Sequence, residues 1–353
     1  MPPTAPAPIT PTRITKAYGP DSLQCVTIDP PVSARRSGIL FVDKSAGMTS
    51  HDVVSRVRKL AGTRKVGHAG TLDPMATGLL TLGLNSSTRL LTFMVGLDKE
   101  YLATIRLGQS TDTDDAEGAI TAVADAAVVG TITDDAIRAA IVPLTGDISQ
   151  VPSSVSAIRV NGRHAYELAR AGETVVLKSR DVTVSEFEVL VIRPTHAEGT
   201  ATAEGTATVE GTADVNGTAV IDIDVRVVCS SGTYIRALAR DLGAALGVGG
   251  HLTALRRSRV GPFSVLGAAT LSDIDVESAL VLPETVASTL FPTLQLTAEQ
   301  VLGLSQGKRL PGFDVEGGPI AALSPTGRLT GLVQVVGGVV KPIVNFPTAE
   351  ALA

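Results

Sequence analysis

The chain has 353 residues, 44% hydrophobic and 18% charged, enough for a sizeable core and for a main domain with a smaller one beside it. No apolar run approaches the roughly 18 residues of a membrane-spanning helix, and Cys25 and Cys229 with no Cys/His cluster exclude a disulfide framework and a zinc module. The formal net charge of -5 argues, taken alone, against a nucleic-acid binder. It averages, however, over two basic blocks, with 11 Lys/Arg against 5 Asp/Glu in residues 35–110 and 6 against 1 in 226–260, flanking an acidic stretch with 7 against 19 in 111–225. Such blocks read either as a localised polyanion site or as an uneven solvated surface.

Residues 1–34 are Pro/Thr-rich without the basic-then-apolar pattern of a secretion signal, so a disordered tail and a cytoplasmic protein are expected. Residues 39–42 predict a strand ended by Asp43-Lys44-Ser45-Ala46-Gly47. Ser50 is the expected N-cap of a helix with Val53, Val54, Val57 and Leu60 on one face and Arg56, Arg58 and Lys59 on or near the other, closed by Gly62. After an expected loop over 67–78, residues 79–84 read as a strand, 88–95 as a short helix, 101–107 as an alternating strand and 134–141 as a helix. Asn161-Gly162 predicts a turn before a helix over 165–171. Long strands follow over 182–191 and 220–227, then a helix over 234–246. Between those strands, residues 198–218 repeat Glu-Gly-Thr-Ala with too little apolar surface to pack, which predicts a solvated extension or flexible loop. Beyond Pro283 and Pro292, a helix over 297–304 and apolar stretches near Ile320, Leu332 and Val340 predict a small β-rich domain over 291–353, after a main domain over 35–290.

Gly67-His68-Ala69-Gly70-Thr71-Leu72-Asp73-Pro74-Met75-Ala76-Thr77-Gly78 is the most informative stretch. Its glycines and proline suit a backbone that turns at positive φ or approaches something closely. Asp73, in locally apolar text, is either a turn-forming residue or an ionised group held for chemistry. The histidines His51, His68, His164, His196 and His251 are scattered, so metal catalysis finds no ligand pattern. Gly62-Thr63-Arg64-Lys65 lacks the spacing of a phosphate loop, and Ser231 lacks the Gly-x-Ser-x-Gly frame of a serine hydrolase.

Asp43-Lys44, the loop at 67–78, Asp98-Lys99-Glu100-Tyr101, Gly108-Gln109-Ser110-Thr111-Asp112-Thr113 and Ser231-Gly232-Thr233-Tyr234-Ile235-Arg236 occur in this order. Together, over roughly residues 35–265, they resemble the TruB family of tRNA pseudouridine synthases. The resemblance implies an α/β (α+β) fold with an extended mixed, largely antiparallel sheet and flanking helices, and a C-terminal domain that is PUA-like by analogy. It implies isomerisation of uridine at position 55 in the T-loop of tRNA, by base flipping, with no cofactor, metal or guide RNA and a monomeric enzyme. Asp73 matches the catalytic aspartate, Arg236 the arginine that pairs with it, and Tyr101 the tyrosine that stacks on the uracil. His68 matches the histidine that fills the space of the flipped base, Lys44 and Tyr234 match residues lining the uridine pocket, and Thr71 lies in the same loop as an RNA-contact candidate. Arg64, Lys65, Arg256, Arg257 and Arg259 are phosphate-contact candidates by charge and location.

Two departures stand out: Lys44-Ser45 replaces the family's Lys-Pro, and in residues 152–159 Val155 and Arg159 replace its tyrosine and lysine. Two other classes compete: a catalytically silent RNA-binding or tRNA-folding protein on the same scaffold, and a nucleoside glycosidase that releases free base. Product analysis separates the second, and an intact Asp73, Tyr101 and Arg236 speak against the first.

Overall fold

The computed structural model describes residues 37–153, 159–160, 163–164, 178–195 and 219–347, all within one compact unit that begins at Arg36. The predicted tail, the turn at 161–162, the helix at 165–171, the Glu-Gly-Thr-Ala segment and Val155 lie outside them.

A ten-stranded sheet organises the unit. Its strands are β1 (Gly38–Lys44), β2 (Val66–Ala69), β3 (Thr77–Leu84), β4 (Lys99–Leu107), β7 (Gly146–Gln150), β10 (Arg180–Thr195), β11 (Val220–Cys229), β12 (Gly250–Val260), β13 (Phe263–Ser264) and β14 (Ala269–Thr270). Their order is β14-β1-β3-β12-β4-β11-β10-β7, with β2 also on β3 and β13 on β12. The β1–β14 and β3–β12 pairings are parallel and the others antiparallel. Two small antiparallel pairs stand apart: β5 (Gln109–Thr111) with β6 (Ile120–Val123), and β8 (Arg159–Val160) with β9 (Arg163–His164).

Alternation along β11 shows how the sequence produces two faces. Ile221, Ile223, Val225 and Val227 are buried with Leu80, Leu82, Ile105 and Leu107. Asp222, Asp224 and Arg226 point the other way and pair across strands, as in the two-pronged Arg106–Asp222 contact at 2.8 and 2.7 Å. The helices Ser50–Leu60, Asp134–Ile141 and Ile235–Ala245 cover the apolar face with Val53, Val57, Ile137, Leu238 and Leu242.

Two expectations change in the structure. The first helix is capped by Thr49, whose Oγ1 accepts from the Asp52 amide at 3.1 Å while Asp52 Oδ2 accepts from the Thr49 amide at 2.9 Å. A box needs an acceptor three residues on, which Thr49 finds in Asp52 and Ser50 would lack in Val53. The expected loop over 67–78 shrinks to residues 70–76, because 66–69 and 77–84 pair as β2 and β3. Glycine here serves close strand packing: a Cβ on Gly67 would stand 3.2 Å from Leu91 Cδ1.

Residues 293–345 form a second, five-stranded sheet, with β15 (Thr293–Gln295), β16 (Leu310–Pro311), β17 (Gly317–Leu323), β18 (Leu329–Val336) and β19 (Val339–Asn345) in the order β15-β17-β18-β19-β16. The helix Ala298–Ser305, capped by Thr297, closes its core of Leu296, Val301, Leu304, Ile320, Val333 and Val340. A further cluster joins Ala321, Leu329, Leu332 and Phe346 to Ile39, Leu90 and Met94, so the two sheets share apolar contacts.

Gly78, where β3 runs beside β12, has φ +99° and its Cβ would stand 2.2 Å from the Arg257 carbonyl oxygen. Gly47, at φ +79°, has nothing within 4 Å. Gly78→Ala is expected to lower unfolding free energy by more than about 3 kcal/mol and Gly47→Ala by about 1 kcal/mol, as read from urea denaturation midpoints.

Candidate active site

The loop at 70–76 is held almost entirely through its backbone. Arg257, buried on β12, donates from Nε to the Leu79 carbonyl at 2.7 Å, from Nη2 to Gly70 at 2.9 Å and from Nη1 to Thr71 at 3.4 Å. Ser50 Oγ accepts from the Leu72 amide at 2.9 Å and donates to the Leu72 carbonyl at 3.2 Å. The Pro74 carbonyl accepts from Lys44 Nζ at 3.1 Å and from the Gly47 amide at 2.9 Å. Leu72 and Ala76 are buried on either side of Asp73. Asp73 makes two contacts with different atoms. Its carbonyl closes a turn with the Ala76 amide at 3.1 Å, and its carboxylate pairs with Arg236, Nε to Oδ2 at 3.1 Å.

Arg236 is a buried residue in the first turn of the helix Ile235–Ala245, not a surface cation. Its Nη1 donates to Asp115 Oδ2 at 3.1 Å and to the Thr113 carbonyl at 3.0 Å. Asp115, 2% exposed, is in turn fixed through Oδ1, which accepts from Thr113 Oγ1 at 2.6 Å and from the Glu117 amide at 3.0 Å. Asp115 supplies a buried counter-charge to the Arg236 guanidinium, which meets Asp73 through Nε. Asp115 escaped the sequence reading because it sits two residues beyond Gly108–Thr113 in a run with Asp112 and Asp114. A buried-arginine requirement is the signal that singles it out.

Asp73, Tyr101, Thr71, Tyr234 and Arg236 all line one cavity of about 380 Å³. Burial is the main cause that raises the Tyr101 and Tyr234 hydroxyls above their ordinary pKa. Tyr234 caps its helix with no side-chain bond; Gln150 holds its backbone instead, Oε1 accepting from the amide at 2.8 Å and Nε2 donating to the carbonyl at 3.0 Å. Lys99, brought to about 8 chiefly by burial, forms part of the wall and donates to the Val95 and Leu97 carbonyls at 2.6 and 2.5 Å.

The other expected RNA contacts have these surroundings. Arg257 is buried and donates to three carbonyls, which makes it a clamp on the loop. Lys44 is fully buried away from the cavity lining, and its Nζ donates to Ser45, Met48 and Pro74 carbonyls at 2.9, 2.7 and 3.1 Å. Arg256 pairs with Asp43 at 3.0 and 2.6 Å and Arg259 with Asp98 at 2.9 Å. Arg64 and Lys65 are exposed ahead of β2. His68 is half-buried on β2, edge-on to His51 at 5.6 Å between ring centres, and its buried Nδ1 has no hydrogen-bond partner. Burial first, then His51 and Arg257, hold its pKa below the ordinary histidine value, favouring the neutral ring. Among the described residues no group of three or more His, Cys, Asp or Glu is placed to hold a metal, and no helix is long and apolar enough to cross a membrane.

Asp115→Asn keeps the shape and removes the counter-charge. Turnover should fall at least about tenfold while substrate affinity changes less than about threefold, since the loss is one of alignment; single-turnover rates and binding isotherms check this. Lys44 carries a pH signature. Burial brings it from the ordinary 10.5 to about 8, so between those values the unfolded chain binds more protons and stability rises with pH. The stability of the wild type relative to Lys44→Met should be flat below about 8 and rise towards 10.5, as measured by denaturant titration across that range.

Comparisons with known proteins agree with this arrangement. Residues 58–235 match the family model for the N-terminal domain of TruB family pseudouridylate synthases, and residues 236–295 that for the tRNA pseudouridylate synthase B C-terminal domain. The chain is 53% identical over 317 residues to the tRNA pseudouridine synthase B of Leifsonia xyli subsp. xyli, covering 89% of this chain and 98% of that protein. It is 48% identical over 309 residues to the one from Mycobacterium leprae, covering 87% and 90%. Among solved structures, a chain of a Cbf5-Nop10-Gar1 complex shares the fold with a TM-score of 0.62 at 24% identity over 91% of this chain and 89% of that one. An H/ACA RNP bound to a substrate RNA containing 2'-deoxyuridine gives 0.60 at 23% identity over 89% and 86%. From its matched motifs to the ion pair they assemble, the chain belongs to the TruB family of pseudouridine synthases.

Proposed function

We propose that this synthase, which isomerises uridine in tRNA, acts on position 55 of the T-loop with Asp73 as its catalytic carboxylate. The observation that carries the reading is the Asp73–Arg236 pair at 3.1 Å on the wall of a cavity of about 380 Å³ shared with Tyr101. A uracil inside a folded loop cannot reach such a carboxylate, so the nucleotide leaves its stack at a cost of a few kcal/mol, which contacts in the cavity offset. Isomerisation breaks the bond from N1 to C1′, turns the base and forms the bond from C5 to C1′. The C5 proton is lost and N1 gains one, so the product has the substrate's atoms and no redox partner is required.

Asp73 serves this chemistry in its charged form, attacking C1′ or C6 or removing the 2′ proton. The Arg236 guanidinium lies against Asp73 at 3.1 Å, and Asp115 holds another edge of that guanidinium at 3.1 Å. Tyr101 offers its ring to the base, replacing lost stacking, and its hydroxyl enters as a neutral group because burial opposes ionisation. A silent RNA-binding protein would gain nothing from a carboxylate facing a polyanion. We read the enzyme as a cytoplasmic monomer that takes the T-arm directly, without a guide RNA; its relatives named tRNA pseudouridine synthase B support the tRNA substrate.

The test is conversion of an unmodified tRNA transcript without metal or nucleotide, with pseudouridine mapped by chemical adduct and primer extension. Wild type should convert position 55, and Asp73→Asn should lose at least about 10³-fold in rate with tRNA affinity within about threefold. An equal loss of binding would make Asp73 a structural turn residue.

A further inference from the structure

Four cations line the cavity, Lys99, Arg180, Arg236 and Arg257, against Asp73 as the only carboxylate in its lining. Three of them are committed. Lys99 donates to two carbonyls, Arg257 to three, and Arg236 to Asp73, Asp115 and Thr113. Turning any of these towards a ligand would orphan buried acceptors, at about 1–3 kcal/mol for each. Arg180 differs: it is exposed at the first position of β10, and among the described residues its side chain makes no hydrogen bond or ion pair.

Its backbone is nevertheless fixed. Arg180 lies opposite Gln150 on β7, and Gln150 is the residue that grips Tyr234 from both sides of its peptide. The guanidinium thus extends from a rigid base beside the residue that lines the same cavity. Facing it, the turn at 230–233 contributes Gly232 at φ +93°, with nothing within 4 Å of where a Cβ would stand, so the wall is open there. Extruding a nucleotide carries its flanking phosphates to the cavity's edge. An anion arriving there meets one exposed cation that has no side-chain partner to give up among the described residues and can form a two-pronged contact.

We propose that Arg180 binds a phosphate flanking the target uridine and so sets the register of the flipped nucleotide over Asp73. This rests on the uridine-isomerising reading above. It assigns Arg180 a binding role, distinct from the chemistry performed at Asp73.

The experiment uses the full chain and a T-arm stem-loop RNA, unmodified or with one methylphosphonate replacing the phosphate 5′ or 3′ of the target uridine. Arg180→Gln should bind unmodified RNA about tenfold more weakly, with a smaller loss in saturating single-turnover rate. Its affinity should depend less steeply on salt, the log–log slope falling by about 0.7–0.9. One of the two methylphosphonates should weaken the wild type by a similar factor and leave Arg180→Gln no weaker than before, and Arg180→Lys should recover part of the affinity. Losses that multiply at both linkages, or an unchanged salt slope, would overturn the assignment while wild-type conversion of unmodified RNA leaves the underlying reading intact. Absence of that conversion would overturn both.

Discussion

A single buried guanidinium fixes the geometry on which the site depends. Arg257 joins three carbonyls, two from the loop that carries Asp73 and one from β3 behind it. A loop of seven residues between two strands would ordinarily sample many backbone states, each residue retaining about 1–2 kcal/mol of conformational entropy. Holding its carbonyls from beneath removes much of that freedom and leaves Thr71 and Asp73 on the cavity wall. The arrangement works only because β3 and β12 run in parallel past one another at Thr77–Arg256 and Gly78–Arg257, a contact that Gly78 permits.

Arginine is used in two opposite ways within this site. Arg257 is consumed by neutral acceptors and gives shape, whereas Arg236 is balanced by Asp115 and gives charge. A lysine could not replace either in kind, since neither role survives without several donors in a fixed plane. Lys44 shows where an ammonium does suffice: it gathers three carbonyls that converge on one point, and its burial lowers its affinity for the proton.

Much of the large sheet was legible because β3, β4 and β11 announce themselves by apolar runs or strict alternation, and the helix at Asp134–Ile141 by its period. What misled was context. Thr49 and Ser50 are equivalent as hydroxyls, and only the acceptor at Asp52 separates them. β2 contains Gly67 and Ala69, which look like loop residues until Leu91 is packed against them. Arg257 sits among Arg256, Ser258 and Arg259, and the pleat, together with the irregularity in β12 between Arg257 and Arg259, turns it inward while Arg256 and Arg259 pair at the surface. Asp73 and Arg236 were found through motif resemblance, since 163 positions of chain separate them. Asp115 needed the fold, because it reaches Asp73 only through Arg236, and the pairing of β10 with β7 is what brings Arg180 to the cavity wall.

The shared apolar cluster between the two sheets has an effect on β1 itself. Ile39 enters the cluster built with the C-terminal sheet, while Leu40 and Val42 enter the main core. One strand thus feeds two interiors through its two faces, and a one-residue slip would exchange their contents. The strand that opens the described chain is consequently a party wall, met on one side by Val281 and the helix Pro283–Leu290, which themselves pack towards the second sheet. The two sheets are therefore separate in their strand ladders and continuous in their hydrophobic packing.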